Sequence, residues 1–275
     1  MKILKSFTLF FALCFIAVTT ISAEESSQKQ STLLIIDSQE SEPYSSVREA
    51  MLLELSSLGY IEGKNLKTKY YSLGNYDGRS KSIWNVLEKK NSYDVIFLNG
   101  TIAVASFKEL ALDDQNKFVF ASITDPVGVG VIEDFQNPPK HNFTGICYPV
   151  KVEDRLKFIQ KVLPTAKTIG LIHADMPQSQ SYKNWIEETL KKPEFQTLKV
   201  IFRDVEFVKS DGGHKRMTML AKKHVEELDS QVDVFLSPND QMGVTVGCRT
   251  SLYLISIVSL HFVPIDFLKK YGILL

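Results

Sequence analysis

Residues 118–146, FVFASITDPVGVGVIEDFQNPPKHNFTGI, decide how the chain is divided. The apolar run 118–122 has strand character, and Ile123-Thr124-Asp125-Pro126 ends it as a turn, because Pro126 fixes its own φ and pushes Asp125 out of the helical region. Gly128, Gly130, Pro138 and Pro139 then punctuate a polar path before Asn142-Phe143-Thr144-Gly145 leads into the next ordered segment. That chemistry suits a crossover between two lobes rather than a core, so residues 126–146 are expected to be a hinge crossover.

On either side of this stretch, strand-like runs alternate with helical periodicity. Residues 33–37, 66–71, 95–98 and 118–122 read as strands. Between them Val47, Met51, Leu52, Leu55 and Leu58 fall at helical spacing with Gly59 at the C-cap, Ile83, Trp84 and Leu87 mark a second helix, and Gly100-Thr101 opens a third. The pattern restarts beyond the crossover. Val152, Leu156, Ile159, Val162 and Leu163 share a helical face ended by Pro164, residues 168–173, 198–205 and 232–236 read as strands, and Trp185 and Met217 lie in the helices between them. The expected fold is α/β, two doubly wound Rossmann-like lobes over residues 32–125 and 147–246.

The ends of the chain differ from this middle. Lys2 and Lys5 precede an apolar run over residues 7–18, and Ile21-Ser22-Ala23 offers a small-residue cleavage site, so residues 1–23 are expected to be an export signal and the mature chain to lie in the periplasm or at the cell surface. Residues 24–31, EESSQKQS, read as a flexible leader. Without Lys2 and Lys5 the 32 basic groups fall to 30 against 32 acidic ones, which carries no nucleic-acid footprint. Cys147 and Cys248 lie beyond the signal; a single bridge is chemically allowed in an oxidising compartment, and two unpaired thiols are the simpler expectation. Residues 247–275 form a hydrophobic tail interrupted by His261, Pro264 and Asp266, which reads as a stray strand and not as a membrane helix.

In open α/β sheets ligands bind beyond the C-terminal strand ends, which directs attention to Asp37-Ser38, Asn99-Gly100-Thr101, Thr124-Asp125, His173-Ala174-Asp175 and Ser237-Pro238-Asn239-Asp240. Free N–H groups at a helix start, with the Thr101 hydroxyl, can hold a carboxylate, or the same residues can be a plain N-cap. Asp125 and Asp240 either hold a ligand ammonium or cap the turns that follow. Ser179 or Ser181 reads as an N-cap in the loop 177–181, and Tyr148 and Tyr182 either stack on a ligand or pack. The five histidines have no metal-ligand spacing, and no nucleophile elbow, P-loop or dinucleotide fingerprint is present, so neither a cofactor nor catalysis is expected. The Asn142-Phe143-Thr144 sequon reads as hinge structure.

The stretch TDPVGVGVI followed by NFTGI, then LPTAKTIG over residues 163–170 and LSPND over residues 236–240, resembles the substrate-binding proteins of ABC transporters, in the family that includes tryptophan- and tyrosine-type binders. The resemblance covers residues 32–245 in order and spacing. It implies a type I periplasmic binding fold with a small molecule, an amino acid or related carboxylate, enclosed between the lobes and passed to an ABC permease. Carried over by position, Gly100, Thr101, Thr124, Asp125, Asn239 and Asp240 face the cleft, with Gln178 and Ser179 contributing from the second lobe. The tail departs from the family pattern after Thr245, which reads as a truncation or a shift of reading frame that leaves the second lobe incomplete. The alternatives are a periplasmic ligand-sensing module for a membrane signalling protein, or a truncated paralogue without function.

Overall fold

The computed structural model describes residues 30–89, 91–147, 151–238 and 254–255. Two parallel sheets organise them. The first contains β1 (Ser31–Asp37), β2 (Leu66–Ser72), β3 (Val95–Asn99), β4 (Phe118–Ile123) and β5 (Phe143–Cys147), in the order β2-β1-β3-β4-β5. The second contains β6 (Thr168–Ala174), β7 (Lys199–Val205), β8 (Val234–Leu236) and β9 (Leu254–Ile255), in the order β7-β6-β8-β9. Every pairing within them is parallel, so each connection must cross a sheet face, and among the described residues every such connection carries a helix.

Burial follows from that arrangement. The central strand β1 reads Leu33-Leu34-Ile35-Ile36 without alternation, since both its faces are covered, whereas the edge strand β2 carries exposed lysines. Leu33, Ile35, Leu66, Phe97 and Ala121 pack under α1 (Tyr44–Ser57) through Val47, Met51, Leu52 and Leu55, the residues at helical spacing in the sequence. Gly59 follows that helix with φ +92°, the left-handed conformation a C-terminal cap requires. The opposite face buries Leu34, Ile36, Ile96 and Leu98 against α2 (Gly78–Ser82), its π-helical continuation Ile83–Leu87, and α3 (Thr101–Ala111). Phe118 stacks on Phe143 with ring centroids 4.5 Å apart, and Trp84 meets Phe107 edge-on at 5.7 Å. Such pairs contribute about 0.5–1.5 kcal/mol each beyond the area they bury. The same apolar cluster continues without a break into the second lobe, taking in Met176, Val205 and Met217.

The second sheet is flanked by α5 (Val152–Val162), α6 (Pro177–Leu190) and α7 (Gly213–Leu228); a short helix, α4 (Pro126–Val129), follows β4. Two expectations change here. The segment 126–146 is not wholly crossover, because Phe143 begins a fifth strand that pairs with β4, and the passage to the second lobe falls between Cys147 and Val152. Of the tail, Leu254 and Ile255 form β9 beside β8, while its other residues lie outside those described. Among the described residues no helix is long and apolar enough to cross a membrane. The export signal, the leader up to residue 29 and Cys248 also lie outside the described residues; Cys147 is a free thiol.

Candidate functional site

Strand order places the site. In each sheet the chain turns to opposite sides of its first strand, so a crevice opens where the C-terminal ends of neighbouring strands send their helices apart. In the first sheet this switch lies between β1 and β3, beside Ser38 and Gly100; in the second it lies between β6 and β8, beside Met176-Pro177-Gln178 and Ser237.

The first crevice is polar and buried. Asp37, Ser38, Gln39 and Asn99 are fully buried, and Thr101 and Thr124 nearly so. Asn99 Nδ2 donates to Asp37 Oδ1 at 3.0 Å and to the Tyr44 carbonyl at 2.9 Å, while its Oδ1 accepts from Ser122 Oγ at 2.6 Å. Arg48, lying over the Tyr70 ring, is ion-paired with Asp37. Burial pushes the Asp37 carboxyl up to about 6 against the lowering pull of Asn99 and Arg48. Ser122 holds this place at φ +56°, an uncommon conformation for serine.

Gly100 could be nothing else. Its φ is +103°, and a Cβ there would lie 2.4 Å from both Ser38 Oγ and Tyr44 Cε1. With the side chain absent, β1's loop closes on the first turn of α3, and Ser38 Oγ accepts the Ala103 N–H at 3.0 Å. One of the helix-start donors is therefore already used; those of Thr101 and Ile102 have no intrahelical carbonyl to reach. Asp125 is an N-cap, its Oδ1 accepting the Gly128 N–H at 2.8 Å. Burial, helped by the Asp125 charge, raises the Cys147 thiol. Asp125 also remains half-exposed, so capping does not seal it away from the crevice.

In the second lobe the segment 177–181 is the opening of α6 and not a loop. Met176 is the N-cap and Pro177 follows it, preset for a first helical turn, so Ser179 and Ser181 lie inside the helix and neither is the cap. Ser179 is buried, and Gln180 Nε2 reaches back to Asp175 Oδ1 at 2.9 Å. Gln178 is half-buried, its amide nitrogen on Met176 Sδ at 3.6 Å and its Oε1 without a partner. Tyr182 is core, 1% exposed, accepting from Arg155 at 2.5 Å; Arg155 also donates to the Ser237 carbonyl at 2.9 Å and so fixes the end of β8. Tyr148, Asn239 and Asp240 lie outside the described residues.

The two lobes meet at these ends. A cavity of about 620 Å³ is lined by Ile102, Ser106 and Glu109 of α3, by Tyr76 and Asp77 of the loop after β2, and by Pro177 of α6. Lys209 Nζ lies 3.3 Å from Asp77, and Asp211 Oδ1 accepts the Glu40 N–H at 3.4 Å. Gly100, Thr101, Thr124 and Asp125 stand on neighbouring strand ends, with Gln178 and Ser179 on the facing lobe. Gln39, Asn75 and Ser122 belong to the same surroundings and escape a sequence reading. Asn75 follows β2, a strand end outside the set that the sequence singles out, although Gly74-Asn75 directly after the strand is a turn signal. The sequon asparagine is a structural pin. Asn142 Nδ2 donates to the carbonyls of Ala111 at 2.9 Å and Asn116 at 3.1 Å, which ties β5 to the loop before β4.

Residues 40–223 match the family model described as ABC transporter substrate binding protein. A tyrosine-binding protein of Clostridioides difficile strain R20291 is 24% identical over 149 residues, which are 54% of this chain and 41% of that protein, so the chain spans less than half the length of this curated relative. A conserved domain protein from Vibrio cholerae O1 biovar El Tor superposes with a TM-score of 0.65 at 20% identity, over 80% of this chain and 69% of that one. The ABC domain in complex with L-Trp from Streptococcus pneumoniae gives 0.62 at 17% identity, over 79% and 68%.

Proposed function

The chain belongs to the ABC transporter substrate-binding protein family, and from that premise we propose that it is an exported receptor that captures an amino acid between its two lobes for an ABC importer. The fold is that of type I periplasmic binding proteins. The observation that carries the reading is the pair of switch-point crevices, one per lobe, the first of them built of buried polar groups.

In this reading the N–H groups of Thr101 and Ile102 hold the ligand carboxylate at the positive end of α3. Thr124 and Asp125 stand beside it on the adjoining strand, and Gln178, Ser179, Asn239 and Asp240 close from the second lobe. Asp125 serves as cap and ligand contact together, since one carboxylate oxygen takes the Gly128 N–H and the other is open to a donor. An aromatic amino acid is the favoured class, supported by the names of the tyrosine- and tryptophan-binding relatives. Export rests on residues 1–23, and the partner is a membrane permease.

A thermal-shift screen of the full chain over the twenty amino acids tests this. A ligand at about a hundred times its dissociation constant adds about 2.7 kcal/mol to stability. A shift confined to one or a few amino acids is the expected result; no shift with any of them overturns the reading.

A further inference from the structure

We infer that Asn75, in the loop after β2, is the residue that accepts a hydrogen bond from the ligand's amine, so that the site selects molecules carrying an ammonium group beside their carboxylate. This rests on the ligand-capture reading above and adds a residue and a selection rule to it.

Four observations converge on Asn75. It is 3% exposed, yet its Oδ1 has no hydrogen-bond partner. A buried carbonyl oxygen left unpaired is costly, and such groups in folded proteins call for a specific explanation. Its backbone sits at φ +54°, a left-handed conformation that asparagine tolerates better than most residues but that still marks a site held by its surroundings. Those surroundings fix it from two sides: its N–H donates to the Ser38 carbonyl at 2.6 Å, and its Nδ2 donates to Gln39 Oε1 at 2.5 Å. One amide hydrogen is thus used on Gln39, and the oxygen is left wholly without a partner.

Ser38 places that acceptor beside the carboxylate position. Its carbonyl takes the Asn75 N–H while its hydroxyl takes the Ala103 N–H in the first turn of α3. Strands β2 and β3 are separated by β1, about 9.5 Å at two strand spacings, and Ser38 bridges the gap. A pole of N–H donors at α3 and a carbonyl acceptor at Asn75 are therefore tied to one residue. An α-amino acid head group has the complementary pair, a carboxylate and an ammonium. Gln178 repeats the pattern from the other lobe, its nitrogen on Met176 and its oxygen unpaired. In both amides the oxygen is the atom left wholly unpaired, and an oxygen acceptor suits an N–H.

Isothermal titration of the full chain with L-tyrosine and 3-(4-hydroxyphenyl)propanoate, and with L-tryptophan and indole-3-propanoate, separates the amine's contribution from the rest of each ligand. The variants are Asn75→Gly, which keeps the left-handed backbone and removes the acceptor, and Asn75→Asp, which keeps both. The wild type is expected to favour the amine-bearing member of a pair by about tenfold or more, a preference that Asn75→Gly abolishes by weakening the amino acid alone and that Asn75→Asp retains. Equal weakening of both members by Asn75→Gly, an unchanged preference, or no preference in the wild type overturns the inference while leaving ligand capture standing. Binding of none of the four compounds by the wild type overturns the aromatic assignment and this inference together.

Discussion

Two buried carboxylates in the first lobe respond to pH in opposite senses. Asp37 has its pKa raised to about 6 by burial, so the folded state holds a proton that the unfolded chain has released. Its contribution is present at about pH 4 and is lost as pH rises through 6. The stability of the wild type relative to Asp37→Asn, measured by urea unfolding, is therefore expected to fall across that window; a gap that widens with pH would contradict it. Glu88 is the reverse. Burial pushes it up, but Lys69, Tyr71, Tyr93 and Asn91 all bond it and hold it down at about 2. Its contribution is present above about pH 4.5 and is lost as pH falls toward 2. Glu88→Ala leaves the Tyr71 and Tyr93 hydroxyls without their acceptor and is expected to cost about 1–3 kcal/mol at neutral pH, most of it gone near pH 2. Neither network was legible in the sequence, because Asp37 and Asn99 are 62 residues apart and meet only through the β1–β3 register, and Tyr71 and Glu88 are 17 apart and meet only where the π-helical segment Ile83–Leu87 ends against β2. What the sequence did expose was position. Thr101, Asp125 and Gln178 could be placed near strand ends because strand ends can be located from periodicity, while the position of Asn75 shows only in a backbone angle and an unpaired oxygen.

Elements were legible wherever burial imposed a pattern. The runs around Leu33, Ile96 and Ile169 are strands covered on both faces and read as unbroken apolar stretches, and α1 announced itself by the spacing of Val47, Met51 and Leu55. Strand β5 had no such signature. It is an edge strand in which Phe143 is buried and Thr144, Gly145 and Ile146 are exposed, so it carries neither an apolar run nor an alternation. Its glycine looked like a turn signal but has a packing reason: a Cβ on Gly145 would lie 2.1 Å from the Phe120 carbonyl oxygen, a backbone atom that can yield only by moving the strand. Gly145→Ala is expected to destabilise the chain by about 2 kcal/mol or more, by displacing β5 from β4. Gly212→Ala, with open space around the new methyl and an ordinary φ of −88°, is expected to stay within about 0.5 kcal/mol. Guanidinium denaturation of both variants decides the matter; equal effects would mean that conformational freedom, not the Phe120 contact, is what Gly145 supplies.

At the scale of the molecule, the loop after β7 reaches the first lobe through an ion pair and through an aspartate set against backbone. Lys209 pairs with Asp77 at 3.3 Å with both side chains at least half exposed, and Asp211 lies over Gly74, where a Cβ would come 3.0 Å from its Oδ2. An exposed ion pair of this type is worth about 0.2–1 kcal/mol, which is negligible against the stability of a lobe but not against an equilibrium between two lobe arrangements. A change of 1 kcal/mol shifts such an equilibrium about fivefold, and a ligand can shift it only by its own differential affinity for the two states. Lys209→Glu sets a negative charge opposite Asp77 and is expected to favour the open arrangement without changing either core. Small-angle scattering of the unliganded chain should then give a larger radius of gyration than the wild type, the difference shrinking as added salt screens the repulsion. Restoring the pair with opposite polarity, Asp77→Lys together with Lys209→Glu, should return the wild-type value. If the single variant scatters as the wild type does at low salt, the apolar contacts that run from Phe118 through to Met176, and not the ion pair, hold the lobes together.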